Sequence, residues 1–567
     1  MIALGRIALA AAAVLAIGSG LNVKGIGAAE LSDAAAFTEP AERIVALRRL
    51  TEAQYRNSIA DIFGPEIAVA GRFEPIVRPI HELISSGAAG AAISPAGLEQ
   101  FDAMARNIAV QVFDAKHRGQ FVPCTPKVEV AADPACAEQT LAPLGRYLFR
   151  RPLTAPELAF YGRLANQAAA ATGSFHKGLE LALATMLVSP NFLYIVETAR
   201  PDPNRPGDLV LDDWSRAARL SFLLWNSTPN EALLTTAAQG RLSDDAELAR
   251  FAERMVGSPR FEAGVRAFFA DMLLFEKFDA LAKDAIVYPY FNSDVAKALP
   301  EQLLRTIVDQ VLTRDGDYRD LFTTNRTFMN RPLASLYQVR VPASAGWVPY
   351  EFPPEAGRSG LLGQAGFLAL YSHSGRSSPT LRGRAVRELL LCQPVPDPPG
   401  NVNFTAVQDT TNTAMPTARI RLSAHATDPV CKGCHAITDP LGLSFEKFDG
   451  AGMFRTVENG APIDDEGAMD GAAFFGVAGL GQAMAQNPAA GQCVAGRALE
   501  YASGHAVDQE TDRIEALAGK FAAQGYKIRA LFREVAASPD SYRIRSKPID
   551  AGATRVSMNK AEQSNGL

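Results

Sequence analysis

Apolar residues recur at three- and four-residue spacing through most of the chain, and the helix starts are clearly marked. In LTEAQYRNSIADIFG, Tyr55, Ile59, Ile62 and Phe63 form one apolar stripe. Thr51 and Gln54 stand at capping-box positions, Leu50 and Tyr55 at those of a hydrophobic staple, and Gly64 offers a stop. LTAPELAFYGRL repeats the design with Thr154 and Glu157, Leu153 facing Leu158. An arginine pair precedes each, Arg48 with Arg49 and Arg150 with Arg151, and two copies make an echo rather than a repeat. Ser-Pro at 189–190, 258–259 and 538–539 predicts helix starts or turns. In LDDWSRAARLSFLLW, Trp214, Ala218, Ser221 and Trp225 share a face with Ala217 and Leu224, which predicts a helix within a core. Strand signals are few and short, as in GWVPYEF, so the expected fold class is mainly α and multidomain.

Two stretches break the helical pattern. RPDPNRPGD at 200–208 reads as a polar linker and a boundary, and QPVPDPPGNVNF at 393–404 has too many prolines for a regular helix. The tail after Pro548 reads as loosely ordered. The N-terminus reads as a signal peptide over 1–29: Arg6, an apolar Ile7 to Ile17, then small residues up to a cleavage point after Ala29. That apolar run is shorter than the ~20 residues a membrane span needs, and no later run is longer, so no integral span is expected in the mature chain. A single Arg favours export of an unfolded chain, and the first cysteine, Cys124, is too distant to carry a lipid. At 567 residues and 47% hydrophobic the chain can fill several cores. A net charge of -5 gives no basic footprint, which disfavours nucleic acid as a partner.

Cysteine use directs attention to one pentapeptide, Cys431-Lys-Gly-Cys434-His435. Two thiols at this spacing can add to the two vinyl groups of haem while His435 meets the iron as proximal ligand. The other ring N–H of that His then needs an acceptor, for which the Pro440 carbonyl in the turn AITDPLG is the expected candidate. Zinc would require two further ligands at matching spacing, and a redox dithiol would require a βαβ setting. The remaining cysteines, Cys124, Cys136, Cys392 and Cys493, allow three pairings in an oxidising compartment. Cys124 with Cys136 would close a short loop; Cys392 with Cys493 would then tie together the segments flanking Cys431.

For the far side of the iron, YSHSGRSSPTLRGR offers His373, followed by Arg376, Arg382 and Arg384, which can pair with propionates. Met453, Met469 and Met484 are alternative ligands, with a core or surface position their commoner role, and an open iron or another residue is the further alternative. His425 is too near the motif in sequence, and His505 falls in a helix-ending turn. Asp439, Glu446 and Asp449 read as caps more than as proton carriers. Phosphate loops, nucleophile elbows and metalloprotease helices are not found.

Several stretches, in order, resemble the planctomycete-type cytochrome family of large secreted proteins: RRLTEAQYRNSIADIFG, CAEQTLAPLGRYLFRRPLT with MLVSPNFLYIVE, LDDWSRAARLSFLLWNSTPNEALL, RSGLLGQAGFLALYSHSGRSSPTLRGRAVRELLLCQPVPDPPGNV with CKGCHAITDPLGLSFEKFDGAG, and CVAGRALEYASGH. The resemblance covers most of 44–545. It implies helical domains at 40–115, 124–200 and 209–340, a cytochrome-like domain at 357–455 and a last helical domain at 466–545. The family's pattern has His where His373 and His425 stand, and Met where this chain has Thr438. The resulting expectation is a periplasmic or secreted protein with one covalent haem c at Cys431, Cys434 and His435. It would work in electron transfer or as a haem-dependent oxidoreductase, facing a redox partner protein or a small molecule. The alternative is a secreted, non-enzymatic binding or scaffold protein whose CxxCH is structural, as a disulfide or a metal clasp.

Overall fold

The computed structural model describes residues 42–342, 346–397, 413–425, 429–507 and 509–544, with backbone alone at 424, 425, 429 and 430. The signal segment expected at 1–29, the tail beyond Pro548 and positions 398–404 of the proline-rich break lie outside the described residues.

Helices dominate, and they begin where the capping residues predict. Thr51 Oγ1 accepts the Gln54 N–H while the Gln54 side chain accepts the Thr51 N–H, starting Glu52–Phe63. Thr154 and Glu157 do the same for Ala155–Thr172. Ser189 caps a short helix at Pro190–Leu193, Ser258-Pro259 forms the turn into Phe261–Met272, and Ser538-Pro539 opens the 3-10 turn Pro539–Tyr542.

The apolar stripes assemble into two cores. One is built from Tyr55, Ile59, Phe63, Phe101, Ile108, Leu141 and Leu183, all from the first two hundred residues. The other gathers Leu248, Phe268, Leu303, Phe367, Phe445, Leu499 and Phe532, joining the rest of the chain. Asp213–Trp225 lies between them: Ala218 and Phe222 face the first core, Ala217, Leu220 and Leu224 the second. Trp214 apart, every residue of this helix is buried, and its buried polar side chains are paired: Arg216 donates to the Leu211 and Leu242 carbonyls, Arg219 to Glu197, and Asp213 accepts from Ser243. By their contacts, the described residues from Glu42 onward cluster as one compact unit.

A four-stranded antiparallel sheet, unmarked in the sequence pattern, joins distant parts of the chain. Arg43–Arg49 pairs with Tyr194–Pro201, that strand with Leu209–Leu211, and the last with Arg543–Ile544. The polar stretch at 200–208 is therefore a hairpin connection inside one sheet rather than a linker. Its prolines and Gly207 (φ 96°) serve a tight reversal, and the buried Asp202 carboxylate accepts from Arg543 Nε at 2.7 Å. GWVPYEF does supply a strand, Val348–Glu351, paired with Arg326–Met329. Disulfides join Cys124 to Cys136 and Cys392 to Cys493, 12 and 101 residues apart. Loop-closure entropy gives bridges of this kind about 3 to 5 kcal/mol each. Among the described residues no helix is long and apolar enough to cross a membrane.

Glu197 is wholly buried in the sheet. It accepts from Arg48 Nη2 at 3.1 Å and from Arg219 Nε at 2.8 Å, and Arg219 also donates to the Ser541 carbonyl. Burial alone would push this carboxyl up; Arg219 and Arg48 outweigh it and hold the pKa below the ordinary glutamate range. Glu197→Gln leaves two buried guanidiniums without their anion and is expected to cost about 3–5 kcal/mol in urea unfolding. Because the folded pKa lies below the unfolded value of about 4.3, this contribution is complete above that pH. It is lost as pH falls through the folded value, so acid titration should narrow the gap between wild type and variant.

Candidate haem-binding site

Cys431, Cys434 and His435 lie on one helix, Pro429–Gly442, where positions i, i+3 and i+4 share a face. The segment AITDPLG is the helix's last two turns, not a separate turn, although Pro440 lies inside it. That continuation decides what holds His435. Asp439, four residues on, comes onto the same face, and His435 Nδ1 donates to its Oδ2 at 2.7 Å. The Pro440 carbonyl is not the acceptor. Asp439 is buried, and its other oxygen accepts from Thr380 Oγ1 at 2.8 Å with Thr438 Oγ1 at 3.2 Å. With the proton on Nδ1, Nε2 is the ring nitrogen that would meet a metal.

Thr380 comes from the second element of the site, Pro379–Ala385, capped by Ser378. The two helices cross at backbone contact. A Cβ on Gly442 would fall 1.8 Å from the Pro379 carbonyl oxygen, and one on Gly383 would fall 1.9 Å from that of Thr438. Only glycine at both positions lets Thr380 reach Asp439.

The loop before that helix carries His373 and Arg376. Lys283 Nζ ties it down by donating to the carbonyls of Ala369, Ser372 and His373 at 2.8, 3.2 and 2.9 Å. The His373 residue is exposed overall, yet its ring is partly desolvated; that, with Arg376 and Lys283 nearby, pushes its pKa down to about 4. It is a neutral imidazole at pH 7. No hydrogen bond joins His373 to His435 among the described residues. Arg376 is half-buried and makes no hydrogen bond or ion pair among the described residues, so its guanidinium keeps its donors.

Arg382 differs from the expected role. It is 0% exposed and donates to the carbonyls of Leu368, Phe445, Phe448 and Asp449, which leaves no N–H for a propionate. It clasps the chain that follows the motif helix. Arg384 is likewise taken, by Glu388 and Asp397. Glu446 is no cap but a buried carboxyl, accepting from Ser377 and Arg455 at 2.9 Å each, and burial pushes its pKa up. Asp449 does cap a turn, through the N–H groups of Ala451 and Met453. Met469 and Met484 are buried and Met453 packs at the core's edge. His505 lies just past the end of its helix, as expected, and His425 ends Ala418–His425.

The donor set fits a covalent haem. Cys431 and Cys434 belong to neither disulfide, and His435 is oriented by a carboxylate. The helix is open beside the motif, since a Cβ on Gly433 would meet nothing within 4 Å. Among the described residues no group of three or more His, Cys, Asp or Glu is arranged to hold a metal ion by itself.

Five family models match, each described as a protein of unknown function: DUF1587 at 48–114, DUF1595 at 136–197, DUF1592 at 211–339, DUF1588 at 358–458 and DUF1585 at 470–540. They run in order through nearly the whole described chain, and DUF1588, the PSCyt3 segment, contains the motif helix, the His373 loop and Arg376. The chain belongs to the planctomycete-type cytochrome family. In this member of the planctomycete-type cytochromes, the other four matched segments are the cytochrome-associated domains. No curated protein and no solved structure matches the chain.

Sequence reasoning took Asp439 for a cap; the His-x-x-x-Asp spacing from His435 was the available signal. Thr380 and Lys283 carried none, because both act across elements far apart in sequence. Gly442→Ala drives a methyl into the Pro379 carbonyl, and overpacking at such a crossing is expected to cost about 1–3 kcal/mol. A melting curve checks the cost, and an Nδ1–H resonance of His435 lost in the variant would report the parted helices.

Proposed function

We propose that the protein is an exported mono-haem c-type cytochrome, active in electron transfer or as a haem-dependent oxidoreductase on an extracytoplasmic molecule. The observation that carries this reading is the His435–Asp439 hydrogen bond, on a helix that presents both motif cysteines outside the two disulfides. The disulfides and the CxxCH together fit assembly in an oxidising compartment. Cys431 and Cys434 would hold the group through thioethers and His435 would bind its iron through Nε2. A haem held there would supply a one-electron iron couple.

The chain's own residues account for the rest. Asp439 fixes the tautomer and the orientation of the His435 ring, and Thr380 in turn orients Asp439. Arg376, whose donors are left over, would pair with a propionate, and His373, a neutral imidazole in the same loop, would be available as a second protein ligand. The remaining helical segments provide surface and cavities for a partner protein or small molecule.

Expression in a host that matures c-type cytochromes is expected to give a protein whose Soret band stays with the chain after denaturation. A colourless product of apoprotein mass overturns the proposal. In the loaded protein, Asp439→Asn weakens the negative charge behind His435, so the midpoint potential is expected to rise while haem stays attached. An unchanged potential would remove Asp439 from the role given to it.

A further inference from the structure

Trp214 is the one residue of the helix Asp213–Trp225 that is not buried. It packs at the edge of the second core and lines a cleft of about 390 Å³, within the range of about 300–1,000 Å³ common to ligand pockets. Phe149, in edge-on contact with Tyr161, belongs to the same lining. Two polar clusters complete the walls, each knit by its own hydrogen bonds. In the first, Glu157 gathers three neighbours: Arg151 donates to both its oxygens at 2.8 and 2.9 Å, the Thr154 N–H at 2.8 Å and Asn191 Nδ2 at 3.3 Å. In the second, Asp212 accepts from the Ser215 N–H at 2.7 Å and from Thr198 Oγ1, while the Thr198 N–H donates to Ser215 Oγ at 2.8 Å. Glu157 chiefly, and Asp212 with it, raise the Arg151 pKa, which puts the two clusters within electrostatic reach of each other. Three groups on the lining residues make no hydrogen bond among the described residues and are open to solvent: Trp214 Nε1 and Arg151 Nε, which donate, and Asn191 Oδ1, which accepts.

We infer that this cleft binds a neutral sugar, with one face of the ring against Trp214 and its hydroxyls on the two polar clusters. The bound groups must accept from Trp214 Nε1 and Arg151 Nε and also donate to Asn191 Oδ1 and the Asp212 carboxylate. A hydroxyl does both, whereas a carboxylate only accepts and an ammonium only donates. An anion finds no spare cation here: Arg151 is paired with Glu157, and the buried Arg150 is spent on the carbonyls of Asn191, Phe192 and Tyr194. A pyranose carries hydroxyls around its rim and C–H bonds on its faces, so it suits a wall that is aromatic on one side and polar on the other. The polar side chains are already held by one another, and little ordering is left for binding to cost. The lining joins two matched segments, Arg151 and Asn191 from DUF1595 and Asp212 and Trp214 from DUF1592. No residue of the DUF1588 segment lines it, and the inference stands whether or not the motif carries haem.

The test is calorimetric titration of the full mature chain with cellobiose, maltose and lactose as neutral probes and glucuronate as an anionic one, with tryptophan fluorescence followed on the same samples. At least one neutral disaccharide is expected to bind and to change the fluorescence. Asn191→Ala should weaken binding about tenfold, the loss of one hydrogen bond, with Tm little changed. Trp214→Ala should abolish both the binding and the fluorescence change. If that variant does not fold, Trp214→Phe, which keeps a ring but removes the indole N–H, replaces it and should weaken binding. No neutral sugar binding to the wild type, binding of glucuronate alone, or undiminished binding to the variants overturns the inference.

Discussion

The architecture depends on one buried carboxylate. Glu197 sits in a strand of the first core's segment, yet its two guanidiniums come from the opening strand and from the helix wedged between the cores. Neither core would be complete alone: Phe222 and Ala218 of that helix finish the first, and Leu220 and Leu224 belong to the second. An ion cluster in such a place gains little net energy over an apolar equivalent, but it admits only one register of strand, helix and C-terminal turn. The segments recognised separately by family models are therefore mechanically one body.

The same economy operates at the motif. The helix supplies the cysteines and the histidine, but it cannot orient the ring by itself. Asp439 does so only because Thr380 faces it, and Thr380 faces it only because Gly383 and Gly442 bring two backbones into contact. Arg382 then pins the chain beyond the helix through three carbonyls and ties it to that of Leu368, so that all its N–H groups are used. The result is a rigid support behind the helix face that carries Cys431, Cys434 and His435.

Local features were legible in the sequence and non-local ones were not. Thr51, Thr154 and Ser189 marked helix starts because a cap is a contact over two or three residues. The helix at Asp213–Trp225, buried except for Trp214, announced itself through periodicity. The four-stranded sheet stayed hidden, since RIVALRR and YIVETARP alternate too briefly and pair over some 150 residues of intervening chain. The motif was evident; the identity of its acceptor was not, because Pro440 reads locally as a helix breaker, although packing carries the helix through it. Arg376 and Arg382 looked equivalent in SHSGRSSPTLRGR, and only burial separates them.

The long bridge between Cys392 and Cys493 has an implication for biogenesis. A polypeptide leaving a pore does so from its N-terminal end, so Cys392 emerges first, Cys431 and Cys434 next, and Cys493 last. For an interval the thiols nearest to Cys392 are those of the motif, not its eventual mate. Oxidation during that interval would favour the wrong ring, and correct pairing therefore depends on the motif thiols being guarded until the helix Pro488–Ser503 brings Cys493.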